Sequence, residues 1–278
     1  MITGNRRLAW LPVSTPAPPP PAPPRSALLA AWGAAWLAGD ASLPELLERV
    51  CAHDDVHTVT GLADAVLPLD RAVARLRAAG TSRLRVVLPA PGDLVGLPGP
   101  GAFTRAAVEA SEGVLFLRPD GAGTGLVPTL TAHGSPFDGT VTTVDWAAYD
   151  VDAAGPDPGP FLHDAEHDLR RGVLEVATAL QDLDVARWRP EVAEALADLR
   201  RQARSGIGED ELPGGYPPRA RDLLVRARQL GAVVQLALQD QGGAIDTRES
   251  LERERALRSL GGLVRRARVA AYNSYGVP

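Results

Sequence analysis

Residues 83–117, RLRVVLPAPGDLVGLPGPGAFTRAAVEASEGVLFL, constrain the fold more than any other stretch of the chain. Two apolar runs, Leu84–Leu88 and Val114–Leu117, are too short for helices and read as buried strands. Between them a loop of Pro and Gly leads into a short helix, about Phe103–Ser111. The order is that of a βαβ-like unit whose long loop leaves the carboxyl end of the first strand. In open α/β sheets, ligands are bound at such ends. The segment therefore predicts an α/β fold, with α+β as the alternative, and a place for a site.

The flanking sequence supplies the remaining elements. Residues 1–25 end in STPAPPPPAPPR, and successive prolines fix φ and delete donors, so a Pro-rich, disordered or extended tail is predicted there. Ser26–Leu37 reads as a helix capped by Ser26, and Leu43–Ala52 as one capped by Ser42 with Pro44 in its first turn. The β-branched His57–Thr60 reads as a short strand. Pro68–Ala79 reads as a helix stopped by Gly80. Leu126–Ala132 and Thr140–Trp146 read as strands, joined to each other and to Val114–Leu117 by tight loops, which predicts an antiparallel meander. Together these give a small mixed sheet of four or five strands within an α/β domain at 26–150.

Beyond a Pro/Gly/Asp linker at 151–160 the β signal ends. Leu162, Leu169, Val173, Val176, Leu180 and Leu183 fall on one narrow stripe of a helix. Pro190 opens a second helix with Val192, Leu196, Leu199 and Ala203 inward. A third buries Leu223, Ala227, Leu230, Val234 and Leu238. A fourth, opened by the capping box Asp246-x-x-Glu249, buries Leu257, Leu260, Val264, Ala267 and Ala271. Gly261–Gly262 is expected to weaken or kink that last helix. Residues 161–278 are thus predicted as an all-α antiparallel bundle, with no internal repeat.

Charge and composition narrow the chemistry. All 29 basic residues are Arg, and the absence of Lys removes Schiff-base and Walker-type chemistry. A net charge of −5 supplies no field for nucleic acid or anionic lipid. Arg265-Arg266-x-Arg268 could meet phosphates, but no recognisable nucleic-acid module accompanies it. The single Cys51 cannot form an internal disulfide, and no apolar run reaches membrane-spanning length, which together predict a cytoplasmic protein.

Two groups of residues carry the candidate site. The first is the 89–101 loop, PAPGDLVGLPGPG, in which Gly92, Gly96, Gly99 and Gly101 permit close backbone approach and Asp93 could bond a hydroxyl or help hold a metal. Its spacing is not that of a phosphate-binding loop, and Pro91, Pro98 and Pro100 delete donors. The second is His163-Asp164-Ala165-Glu166-His167, an i,i+4 histidine pair on the flank of a helix. His163 and His167 are the candidate metal ligands, but spacing indicates no third ligand, and neither a metal nor a cofactor is predicted. In the absence of a complete catalytic signature, the sequence reads as a non-catalytic cytoplasmic interaction or regulatory protein, self-associating or partner-binding through its helices. The alternative is an enzyme or small-ligand binder with its site at the carboxyl edge of the sheet, formed by the 89–101 loop and the His163/His167 helix.

Overall fold

A computed structural model describes residues 22–52, 54–135, 139–153, 159–182, 211–239 and 247–276. It is a mixed α+β fold, with a six-stranded sheet and seven helices among the described residues. The helices are α1 (Arg25–Ala38), α2 (Leu43–Val50), α3 (Leu69–Ala78), α4 (Ala102–Ala110), α5 (Leu162–Asp182), α6 (Pro218–Gln239) and α7 (Thr247–Tyr272). The strands are β1 (Val56–Thr60), β2 (Leu67–Pro68), β3 (Arg83–Val87), β4 (Gly113–Leu117), β5 (Gly123–Ser135) and β6 (Gly139–Val151). Across the sheet they run β2-β1-β6-β5-β4-β3.

The meander of β4, β5 and β6 is present, each pair antiparallel, and β1 joins β6 in parallel. The predicted count of four or five strands is corrected to six. The extra strand is β2, whose two residues are too few to carry an alternating pattern. A second correction concerns the opening segment. Although β3 and β4 flank α4, they pair directly and antiparallel, with Val87 opposite Gly113. The connection leaves and re-enters at the same end of the strand pair, so no crossover forms and α4 only covers one face.

That geometry follows from the alternation of side chains. Leu84, Val86, Val114, Phe116, Leu126, Val144 and Trp146 point to one face, where they pack with α1, α2 and α3. Val87, Leu115, Leu117, Val127 and Val151 point to the other, under Phe103 and Ala107 of α4. Every residue of β4 is buried, which explains its unbroken apolar run. Phe103 reaches the sheet because Gly125 leaves room: a Cβ there would lie 2.2 Å from Phe103 Cδ2.

Helix starts are met in two ways. Ser42 and Glu45 form a reciprocal capping box with Pro44 in the first turn, as the sequence predicts. Ser26 does not cap α1; the helix opens one residue earlier, after Pro24. Instead the Ser26 backbone N–H and hydroxyl both donate to Glu112 Oε2, at 2.9 and 2.6 Å. A carboxylate 86 residues away thus serves the orphan donors of this helix. Arg25, assigned to the tail by sequence, is its first residue.

In the helical half, Leu169, Val176, Leu223, Ala227, Val234, Leu260, Val264 and Ala267 form one buried cluster. The predicted helix at 190–203, Leu183 and Asp246 lie outside the described residues, as do residues 1–21. Gly261–Gly262 does not interrupt α7, which runs on through them. These glycines belong to a pattern absent from the sequence expectations: Arg228-x-Leu230-Gly231-x-x-Val234 in α6 recurs as Arg258-x-Leu260-Gly261-x-x-Val264 in α7. The two copies meet head to tail. A Cβ on Gly231 would lie 3.3 Å from Val264 Cγ1, and one on Gly261 3.6 Å from Val234 Cγ1. The helices are therefore antiparallel at this crossing and close enough for each glycine to receive the other's valine.

The ends of both helices also enter the sheet's main core through Ala220, Leu224, Val269, Ala271 and Tyr272. Just after α7, Asn273 accepts from the Val86 N–H at 2.8 Å and donates to the Val86 carbonyl at 3.0 Å, occupying the outer edge of β3.

Gly125→Ala is expected to destabilise the protein by about 1–3 kcal/mol, the usual range for overpacking a filled core. A lower midpoint in urea unfolding checks this, and an unchanged midpoint would show that Phe103 yields freely.

Candidate functional site

The carboxyl end of β3 leads into Leu88, Pro89 and Ala90, and α6 and α7 cross directly over this segment. Between them lies a cleft of about 430 Å³. From α7 it receives Arg258, Gly261, Arg265 and Arg268, spaced +3, +4, +3 and so on one face of the helix. From α6 it receives Arg228, Gly231, Gln235 and Leu238 at the same spacing. The paired glycines open its floor. Among the described residues its charged lining is four arginines, with no carboxylate.

Three of the four are neutralised from behind. Arg228 pairs with the buried Glu211 at 2.5 Å, and the Tyr272 hydroxyl donates to the other oxygen of that carboxylate. Burial pushes the Glu211 carboxyl up from its ordinary value, opposed by the charges of Arg228 and Arg268. Arg265 pairs with Asp93 at 2.7 Å, and the exposed Arg258 with Glu254 at 2.6 Å. Arg268 makes no ion pair of this kind among the described residues, and its Nε is buried without a hydrogen-bond partner. Desolvation lowers the pKa of this guanidinium, partly offset by the charge of Glu211.

The 89–101 loop is held by its own turns. Ala90 and Asp93 exchange backbone hydrogen bonds of 3.1 and 2.9 Å around Pro91-Gly92, with Gly92 at φ 81°. This hairpin aims Asp93 at α7, where its Oδ2 accepts from Arg265 and from Arg266 Nε at 2.7 and 3.1 Å. Those two arginines hold the Asp93 carboxyl below its usual range against the opposing effect of burial. Gly96 and Gly99 take positive φ in later turns, and Gly101 is extended before α4. Gly92, Asp93, Gly96, Gly99 and Gly101 do not line the cleft.

His163 and His167 are exposed on α5 and do not line it either. Loop and histidines are therefore not brought together there; the side chains that meet this end of the sheet are the arginines of α6 and α7. Their signal was legible in part: Arg265-Arg266-x-Arg268 stands out, and the +3/+4 spacing back to Arg258 follows from it. Arg228 could be added only once the two helices were paired. Among the described residues, no group of three His, Cys, Asp or Glu side chains is placed to hold a metal ion.

A second polar cluster is complete in itself. Arg25 makes a two-point contact with the fully buried Asp54, Nε to Oδ2 at 2.8 Å and a terminal nitrogen to Oδ1 at 2.7 Å. Asp54 Oδ2 also meets His57 Nε2 at 3.2 Å, while Trp146 Nε1 donates to His57 Nδ1 at 3.2 Å. Because an indole N–H only donates, Nδ1 must accept and Nε2 carries the proton. A charged His57 would put two donors face to face. Burial lowers the His57 pKa, against the raising effect of Asp54. With both ring nitrogens engaged, this His-Asp pair is structural. Cys51 lies nearby, but burial pushes its thiol up to about 11, so it is not an activated nucleophile. His53 lies outside the described residues.

A lowered folded-state pKa means that the unfolded chain binds the proton more readily. The contribution of His57 is therefore fully present above its unfolded value of about 6.5 and is lost as pH falls toward the folded one. Asp54, also lowered, acts only below about 4. Thermal melts between pH 7.5 and 5, at pH values spaced roughly as this His titration requires, should show a falling Tm that flattens in His57→Gln, which can keep both hydrogen bonds without titrating. Parallel curves for the two proteins would refute this account.

The N-terminal domain of Rv1486c-like proteins matches residues 26–160, and the C-terminal domain matches residues 163–269. The chain is 31% identical over 284 positions to "Uncharacterized protein Rv1486c" of Mycobacterium tuberculosis, covering 88% of this chain and 95% of that one. It is 28% identical over 291 positions to "Uncharacterized protein ML1804" of Mycobacterium leprae, covering 90% and 96%. A shorter match, 33% over 188 positions, is to "Uncharacterized protein MAV321" of Mycobacterium avium, covering 56% and 60%. No solved structure matches. With likeness extending over both halves and nearly the whole length of the first relative, the chain belongs to the Rv1486c-like protein family.

Proposed function

We propose that this protein is a non-catalytic, cytoplasmic regulatory protein that binds a small molecule at the carboxyl end of β3. The observation that carries this reading is the 430 Å³ cleft between Leu88–Ala90 and the α6–α7 crossing, in the size range of small-ligand sites. In this reading the helical half, an antiparallel bundle, is the roof of the site. Binding is favoured over catalysis by the lining. Arginine stays protonated and cannot serve as a general base. Ser111 supplies a hydroxyl, but among the described residues no histidine or carboxylate lines the cleft to activate it. A cytoplasmic setting draws on the single cysteine and on the finding that no helix among the described residues is long and apolar enough to cross a membrane.

The test is a panel of small carboxylates, phosphates, amines and neutral aromatics, screened by ligand-observed NMR against the wild type and Ala232→Trp, which fills the cleft. At least one compound should bind the wild type and lose its signal with the variant. Binding that Ala232→Trp leaves untouched, or none at all, would overturn the reading.

A role in protein interaction draws on a different feature. Beyond Leu126 of β5 and below Thr143 of β6, the β5–β6 hairpin runs on without a flanking strand among the described residues. Leu130 and Val141 are exposed on this arm, at 45% and 47%. If the arm mediates self-association, Leu130→Asp should reduce the sedimentation coefficient at micromolar concentration without lowering Tm. An unchanged coefficient removes the arm from consideration.

A further inference from the structure

We propose that the cleft takes an oxyanion, a carboxylate or phosphate monoester carried on a small apolar body, with Arg268 as its principal ligand. This rests on the small-ligand reading above and names the ligand's chemistry.

The sign of the lining comes first. Arg228, Arg258, Arg265 and Arg268 line the cleft, and the carboxylates that pair with three of them are not among the described residues that line it, so its inner face favours an anion. The low dielectric of a partly enclosed site strengthens that preference. Second, the acids behind the lining are already engaged. Glu211 accepts from Arg228 and Tyr272, and Glu112 Oε2 accepts from the Ser26 N–H and hydroxyl. Both act on Arg268 through space, yet neither hydrogen bonds to it. A buried cationic donor without an acceptor is costly, more so than a neutral one. Nε itself is shut off from the cleft, so an oxyanion entering there would meet the guanidinium through its terminal nitrogens and offset the uncompensated charge, and the planar group suits two oxygens at once.

Third, apart from Ser111 and Gln235 the rest of the lining is apolar. Leu88, Val234 and Val264 are buried around the cleft and the half-exposed Leu238 stands at its rim. A bare inorganic ion would leave these surfaces wet. A ligand with a charged head and an apolar body uses both parts. The chain itself shows what a paired, largely enclosed guanidinium looks like: Arg25 has its carboxylate, Asp54, in two-point contact. Arg268 occupies the comparable position in the helical half without one.

Isothermal titration of the full chain with octanoate, octyl phosphate, 1-octanol and inorganic phosphate tests this. Octanoate or octyl phosphate should bind at least tenfold more tightly than 1-octanol, and octyl phosphate more tightly than inorganic phosphate. Whichever of the two anions binds better identifies the head group. Arg268→Gln should weaken that anion at least tenfold and leave 1-octanol unchanged, with Arg268→Lys intermediate; circular dichroism confirms that each variant folds. Equal affinity for 1-octanol and the anions overturns the proposal, as does undiminished anion binding by a folded Arg268→Gln. If Arg268→Gln fails to fold, Arg258→Gln, at the exposed mouth, must still weaken the anion several-fold or the proposal falls. Should a neutral compound bind in an Ala232→Trp-sensitive way while neither anion binds, the oxyanion inference fails and the small-ligand reading stands. If no compound of either kind binds, both fail.

Discussion

The outer edge of β3 is the joint on which the architecture turns. A strand at the end of a sheet presents N–H and C=O groups to whatever lies beside it. Here the side-chain amide of Asn273 takes one donor and one acceptor of Val86, as a neighbouring strand would. The contact fixes the end of α7 against the sheet, next to the buried Tyr272, whose carbonyl accepts from Tyr216 at 2.7 Å. Tyr272 in turn donates to Glu211, and Glu211 holds Arg228. From edge strand to cleft wall, the helical half is positioned by a continuous set of directional contacts rather than by apolar burial alone.

Much of the fold was legible because its signals are local. Ser42, Pro44 and Glu45 announce α2 within four residues. Gly80, at φ 92°, follows α3 as a helix-ending glycine should. The alternation in β6 reflects one buried face, with Val144 and Trp146 inside and Asp145 between them exposed, and the stripe from Leu169 to Val176 in α5 is buried as its spacing implies. What escaped depended on partners far away in sequence. The apolar runs of β3 and β4 are equally compatible with parallel or antiparallel pairing, since both are buried on two faces. Nothing near Ser26 indicates that Glu112 will meet it. The cleft escaped for the same reason: its walls come from residues 88–90, from α6 and from α7, and only their packing makes one surface of them. The Arg265-Arg266-x-Arg268 run was visible, but its division was not. Arg265 and Arg268 enter the cleft, while Arg266 stays exposed and holds Asp93.

The two half-buried arginines show how differently one residue type can be used. Arg25 is a closed unit with Asp54, and His57 and Trp146 complete the set of donors and acceptors. A pair of this kind, well formed, adds little net stability over an apolar replacement but is costly to break. It specifies where α1 meets β1. Arg268 is an open unit. Its charge is balanced at a distance, its Nε is not, and its exposed side faces a cleft. A chain whose cations are all arginines meets both needs with the same planar group, because a guanidinium is always charged and offers its donors in a fixed fork.

The Asn273 contact has a further consequence during synthesis. Val86 and Asn273 are 187 residues apart. At translation rates of about 5–20 residues per second, residue 273 is added roughly 10–40 s after residue 86. Sheet strands β3 to β6 can pair long before then, so β3 spends that interval with its outer edge open. An unpaired edge is a template for another chain. In the nascent protein the same backbone groups that later receive Asn273 are a point of vulnerability, and the chain that follows α7 is what removes it.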